Sequence, residues 1–157
     1  MADPLLQLEL GLRLLLAAAF AAVMGLERQL GRQPAGLRTH MLVSLGSAAF
    51  TIAGTYGVSG LGTVQDAGRV AAQVVTGIGF IGAGSIWRSG SERVIRGLTT
   101  AASIWVAAAV GMLCGFGLYI LGVICALVGV AVLHIIRRLD HTRDLAAERA
   151  LAAESHN

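Results

Sequence analysis

The chain has 157 residues, of which 55% are hydrophobic and 13% charged. A soluble domain carries about 25% charged residues, so this chain has too little polar surface for water, and its composition excludes an ordinary soluble globule. The net charge of +3 comes with 12 arginines and no lysine, and their positions point to lipid headgroups rather than nucleic acid.

A membrane-crossing helix needs about 20 mainly apolar residues, and five segments meet that demand or nearly so. The first is 5–26, interrupted by Glu9 and Arg13. Asp3 and Glu9 precede its apolar core, where a cleaved signal would be positive, so the segment is expected to be kept. Glu9 and Arg13, four residues apart, are expected to pair and reach outward. The loop ERQLGRQPAGLR follows, broken by Pro34 and Gly36. The second span is 40–58, with Ser44, Ser47 and Thr51 on one face. Asp66 is placed to cap the third span, 70–87, and to pair with Arg69. That span carries Gln73, Thr76 and the glycine run Gly77–Gly84. After RSGSERVIR comes the fourth span, 94–113, with Thr99, Thr100 and Ser103. Cys114 and Gly115 make a short link, so spans four and five should form an antiparallel hairpin. The fifth span, 116–136, is the most uniformly apolar. Residues 137–157 read as a short polar cytoplasmic tail with helical spacing. Cys114 and Cys125, about 16 Å apart along a helix axis, are too distant for a disulfide and read as packing residues.

Lipid provides no partner for backbone polar groups, so spanning segments are helices or closed barrels. Barrel strands would alternate apolar and polar residues; these runs are longer and apolar all round. The expected fold is an all-α membrane protein, a bundle of five transmembrane helices. Ten arginines fall in the loop after span one, the loop after span three and the tail; only Arg13 and Arg69 fall on the other side. Basic loops stay cytoplasmic, which puts the N-terminus outside and the C-terminus in the cytoplasm.

Gly77-Ile-Gly79-Phe-Ile-Gly82 matches G-x-G-x-x-G. A dinucleotide site would need a preceding strand and an acid about 20 residues on. Here the motif sits mid-span and the nearest downstream acid, Glu92, is in the next loop, so a nucleotide is excluded. Small residues let membrane helices approach closely, which would make span three the most closely approached helix. The sharper alternative is a helix broken at Gly77–Gly84, as at transporter binding sites.

No carboxylate lies near the centre of any span, which weighs against a self-contained Mg²⁺ pump. Gln73, Thr76, Thr99 and Thr100, with the hydroxyls of span two, could form a polar seam or an ion path. Glu27, Arg28, Arg38, Thr39, His40, Arg96 and Gly97 gather at the inner ends of the spans. There Glu27 could pair with Arg38 or Arg96, or the arginines could hold a phosphate or an acidic partner. No catalytic constellation is visible, so enzyme activity is not expected.

Three blocks, GLERQLGRQPAGLRTHMLVSLGSAAF, RVAAQVVTGIGFIGAGSIW and VIRGLTTAASIWVAAAVGM, resemble the signature blocks of the MgtC/SapB family. The resemblance covers roughly residues 10 to 135. It implies a multi-pass protein of the bacterial inner membrane, linked to growth in low magnesium, acid tolerance and survival inside macrophages. It also implies a regulator of membrane partners such as the F-type ATP synthase, with a Mg²⁺ or other cation transporter as the alternative. The matched positions are Glu27, Arg28, Gly36, Arg38, Thr39, Arg69 and Gln73, then Gly79, Gly82, Gly84, Arg96, Gly97, Thr99 and Thr100. No cofactor is implied beyond Mg²⁺ itself, and the small-residue faces suit a homodimer. MgtC-type chains continue into a cytoplasmic ACT-like domain; this sequence ends about 20 residues after Ile136, so it is expected to be either a short SapB-like member or a piece of a longer chain.

Overall fold

The computed structural model describes residues 3–56, 67–88 and 95–135. These form α1 (Pro4–Leu30), α2 (Leu37–Tyr56), α3 (Ala67–Gly84), β1 (Trp87–Arg88), β2 (Ile95–Arg96), α4 (Leu98–Gly115) and α5 (Tyr119–Ile135). Five helices therefore stand where five spans are expected. Two, α1 and α4, are long and apolar enough by themselves to cross a membrane; α5 is apolar but shorter. Asp66 and the tail 137–157 lie outside the described residues.

Local chemistry sets the ends. Asp3 caps α1 by accepting from the Leu5 N–H at 3.0 Å, with Pro4 at the first helical position, where its missing N–H costs nothing. At the other end the Gln33 N–H reaches Arg28 O and the Arg32 N–H reaches Gln29 O, both at 3.0 Å. This Schellman-type closure puts Arg32 in the left-handed region at φ 54°, a place usually taken by glycine. The same closure ends α4: Leu118 N–H to Leu113 O at 2.8 Å and Gly117 N–H to Cys114 O at 2.9 Å, with Gly117 at φ 81°. The link to α5 is thus Phe116–Leu118, and Cys114 and Gly115 belong to α4. Both cysteines are free thiols of the apolar core.

The loop after α3 departs from the expected one. Span three was expected to reach residue 87 and span four to begin at 94. Instead α3 stops at Gly84 and α4 starts at Leu98. Trp87 pairs with Arg96 and Arg88 with Ile95 in a two-stranded antiparallel ladder. Gly97, at φ 93°, turns the chain into α4, and a Cβ there would overlap the Ser85 carbonyl.

Contacts run antiparallel between successive helices. Ser44 Oγ donates to Ala17 O at 2.8 Å across α1 and α2. Gly25 lies so close to α2 that a Cβ would come 2.7 Å from Leu37 Cα. On α4, Gly111 faces the Ser44 backbone and Gly115 faces Thr51 and Ala48. Helices α1, α2 and α4 therefore share a tight seam of small residues, with α5 lying against Met24 and Cys114 through Gly129 and Gly122.

The small-residue expectation for span three needs correcting. Gly77, Gly79 and Gly84 have nothing within 4 Å of where a Cβ would stand, and only Gly82 meets a neighbour, Ala101 at 3.7 Å. Helix α3 packs at the periphery of the bundle. It also runs without interruption from Ala67 to Gly84, so the glycines do not break it.

Polarity is inverted relative to a soluble protein. Leu8, Leu15, Phe80 and Ile120 are each more than two-thirds exposed, while Arg13, Arg28, His40, Ser44 and Thr51 are buried. Water would drive the reverse arrangement; a lipid surround accepts this one.

Candidate functional site

The polar interior concentrates at two ends of the bundle. One lies where α1 runs into the turn towards α2 and where α4 begins. Arg28, 5% exposed, donates through Nη2 to Thr100 Oγ1 at 2.8 Å and to Gln33 Oε1 at 3.3 Å. One guanidinium thereby joins α1, the turn and α4. Gln29 accepts from the Leu37 N–H at 3.4 Å, and a Cβ on Gly36 would come 3.3 Å from the Gln29 side chain. His40, fully buried, donates through Nδ1 to Gly36 O at 2.9 Å. Its Nε2 is buried without a partner among the described residues.

The opposite end is held by Arg13, 8% exposed. Its guanidinium pairs with Glu9, donates to Gly115 O at 2.9 Å, and lies 5.4 Å from the centre of the Tyr56 ring. The Glu9 pairing is as expected. The outward reach of Arg13 is not: the α4 end offers an orphan carbonyl, and a cation at a helix C-terminus meets the negative end of its dipole. Arg13 turns inward to cap α4.

The matched family positions separate by burial. Arg28, Thr100 and Gly82 are buried; Glu27, Gly36, Thr39 and Gly97 are half-buried; Arg38, Arg69, Gln73, Gly79, Gly84, Arg96 and Thr99 are exposed. Of the inner-end arginines, the fold buries Arg28, while Arg38 and Arg96 face outward. The four residues of the expected ion path are not brought onto one wall. Thr100 is buried against Arg28. Thr76 is exposed and bonds back to Ala72 O at 2.9 Å. Gln73 lines a groove of about 780 Å³ between α2 and α3 that includes none of the other three. The expected hydroxyl seam is likewise spent on backbone: Thr51 donates to Ser47 O and Ser103 to Thr100 O. Among the described residues no three His, Cys, Asp or Glu side chains converge on a point.

Sequence reasoning missed Gln33 and the seam glycines Gly25, Gly111 and Gly115. A signal existed for two of them: Gly111-Met-Leu-Cys-Gly115 is a G-x-x-x-G in an apolar helix.

The family model for MgtC matches residues 14–142, which takes in α2 to α5 and α1 from Leu14 onward. The chain belongs to the MgtC family. It is 46% identical over 132 residues to YhiD of Escherichia coli K12, a candidate magnesium transporter, covering 82% of this chain and 60% of that protein. It is 48% identical over 107 residues to the MgtC protein of Salmonella typhimurium LT2, covering 68% of this chain and 43% of that one. It is 46% identical over 126 residues to SrpB of Synechococcus elongatus, covering 74% and 69%. The chain thus spans about 60% or less of the length of YhiD and MgtC. No solved structure matches it. Family membership, with two helices apolar enough to span a bilayer, identifies this as a membrane protein of the MgtC family.

Proposed function

We propose that this MgtC-family chain acts in Mg²⁺ homeostasis and membrane energetics in the bacterial inner membrane, as a multi-pass regulator of other membrane proteins. The relatives' names supply the magnesium link: one is a candidate magnesium transporter and another is MgtC itself. The observation that carries the regulator reading is where the interior polar groups are used. Arg28, Ser44, Thr51, Ser103 and Arg13 are bonded to groups of the chain itself. The matched positions left exposed, among them Gln73, Gly79, Arg38 and Arg96, lie on outer surfaces, where a partner or a second copy of the chain can reach them. The F-type ATP synthase is the partner that the family resemblance brings forward, and the N-out, C-in arrangement puts the basic inner ends on its side of the membrane.

The rival reading is a transporter or channel for Mg²⁺ or another cation, with Gln73 on its route. Liposomes holding the purified chain and an internal Mg²⁺ dye, with and without an imposed potential, decide between the two. The regulator reading expects no flux above protein-free vesicles. Flux that Gln73→Leu abolishes would establish the transporter.

A further inference from the structure

The groove between α2 and α3 is not needed for packing. Its walls are mostly apolar, with Phe50, Val74, Ile78 and Ile81 among them, and one charged side chain lines it, Arg69. Arg69 and Gln73 stand towards the N-terminal end of α3, one turn apart. At that end the two helices are pinched together, because a Cβ on Gly54 would overlap Val70. Further along, Gly46 and Gly77 line the groove from opposite helices, and a Cβ on either would enter open space. These two glycines do not bring helices together; they keep a channel open between them.

From Arg69 to Ile81 the groove follows twelve residues of helix, about 18 Å. One leaflet of the hydrocarbon core is about 15 Å thick. The volume of about 780 Å³ falls within the roughly 300–1,000 Å³ of small-molecule sites. Arginine presents a planar fork that matches phosphate. We propose that the groove is a binding site for one phospholipid, with an acyl chain lying along Gly46 and Gly77 and the phosphate held at Arg69 and Gln73. Length fits a single leaflet, and charge is confined to the end where a headgroup would be. The site shares Gln73 with the rival ion route, so its test reads bound lipid and not flux.

Native mass spectrometry of the full chain in detergent, titrated with dioleoylphosphatidylglycerol or dioleoylglycerol, tests this. The wild type should keep one phosphatidylglycerol per chain at least tenfold more tightly than dioleoylglycerol. Gly46→Leu with Gly77→Leu should lose both ligands, with helical content unchanged by circular dichroism. Arg69→Gln, at an exposed position and with helical content checked in the same way, should remove the preference for phosphatidylglycerol while dioleoylglycerol binding persists. Inorganic phosphate at millimolar concentration should not displace the lipid. The proposal is overturned if the double leucine variant retains lipid as the wild type does, or if Arg69→Gln lowers both ligands equally. It is also overturned if the wild type is a dimer that the leucines convert to monomer with no change in bound lipid, because the groove would then hold a second copy.

Discussion

Two buried arginines tie the bundle at its ends, and each does so by offering donors to groups that lipid cannot satisfy. Arg13 reaches the Gly115 carbonyl at the end of α4. A hydrogen bond from a charged donor contributes about 1.5–3 kcal/mol, so Arg13→Gln should destabilise the protein by about 2 kcal/mol, read as a lower midpoint in detergent unfolding. Arg13→Lys should recover little, because a point charge cannot serve Glu9 and the carboxyl end of α4 together. At the other end, Thr100→Val removes the Arg28 acceptor in a buried site and should cost about 1–3 kcal/mol, while Thr100→Ser stays near the wild type. Arg32 presents the opposite case. It holds φ 54° at a helix-closing position, which costs a non-glycine residue about 1 kcal/mol. Arg32→Gly should therefore raise the unfolding midpoint; a fall would mean that its side chain contributes more than the backbone strain. Sequence spacing made the Glu9–Arg13 pair legible, since they are one turn apart. It could not show which way Arg13 turns, because Gly115 is 102 residues away.

Among the helices, close approach and hydrogen bonding contribute unequally, and magnitudes separate them. Ser44 makes an interhelical bond to Ala17 O. Such bonds in membranes average about 0.6 kcal/mol, so Ser44→Ala should be mild. Gly111 faces the backbone of that same residue. Gly111→Ala forces α2 and α4 apart and should cost about 1–3 kcal/mol, as overpacking does. Equal effects of the two variants would show that the helices are less tightly seated than their geometry implies. Gly79→Ala on α3 meets open space and should leave stability unchanged or slightly raised, since alanine is the better helix former by about 1 kcal/mol. The two sets of glycines look alike in sequence. Those on α4 are spaced four apart on an inward face; those on α3, Gly82 apart, point outward or into the groove. Apart from the G-x-x-x-G spacing on α4, no single-helix pattern distinguishes the two, because apolar residues dominate both helices.

Among the described residues, polar groups such as Arg13, Arg28, His40 and Ser44 turn inward while many large apolar side chains turn outward, which fits a lipid solvent. Its orientation rests on the arginine asymmetry. In intact bacteria a membrane-impermeant maleimide should label Gln7→Cys but not Arg32→Cys, with both labelled once the inner membrane is opened; the reverse pattern would invert the topology. Composition and hydropathy alone determined that the chain belongs in a membrane, that it forms five helices, and roughly where each lies, because the bilayer imposes one length and one hydrogen-bonding solution on every span. The three signature blocks determined its family. The tertiary structure decided the rest: the continuity of α3, the strand pair at Trp87 and Arg96, the inward turn of Arg13, the Arg28–Thr100 bond and the open groove beside α3. Each depends on which residues from distant parts of the chain meet. In lipid a uniformly apolar helix gives no hydrophobic signal to say which of its faces turns inward.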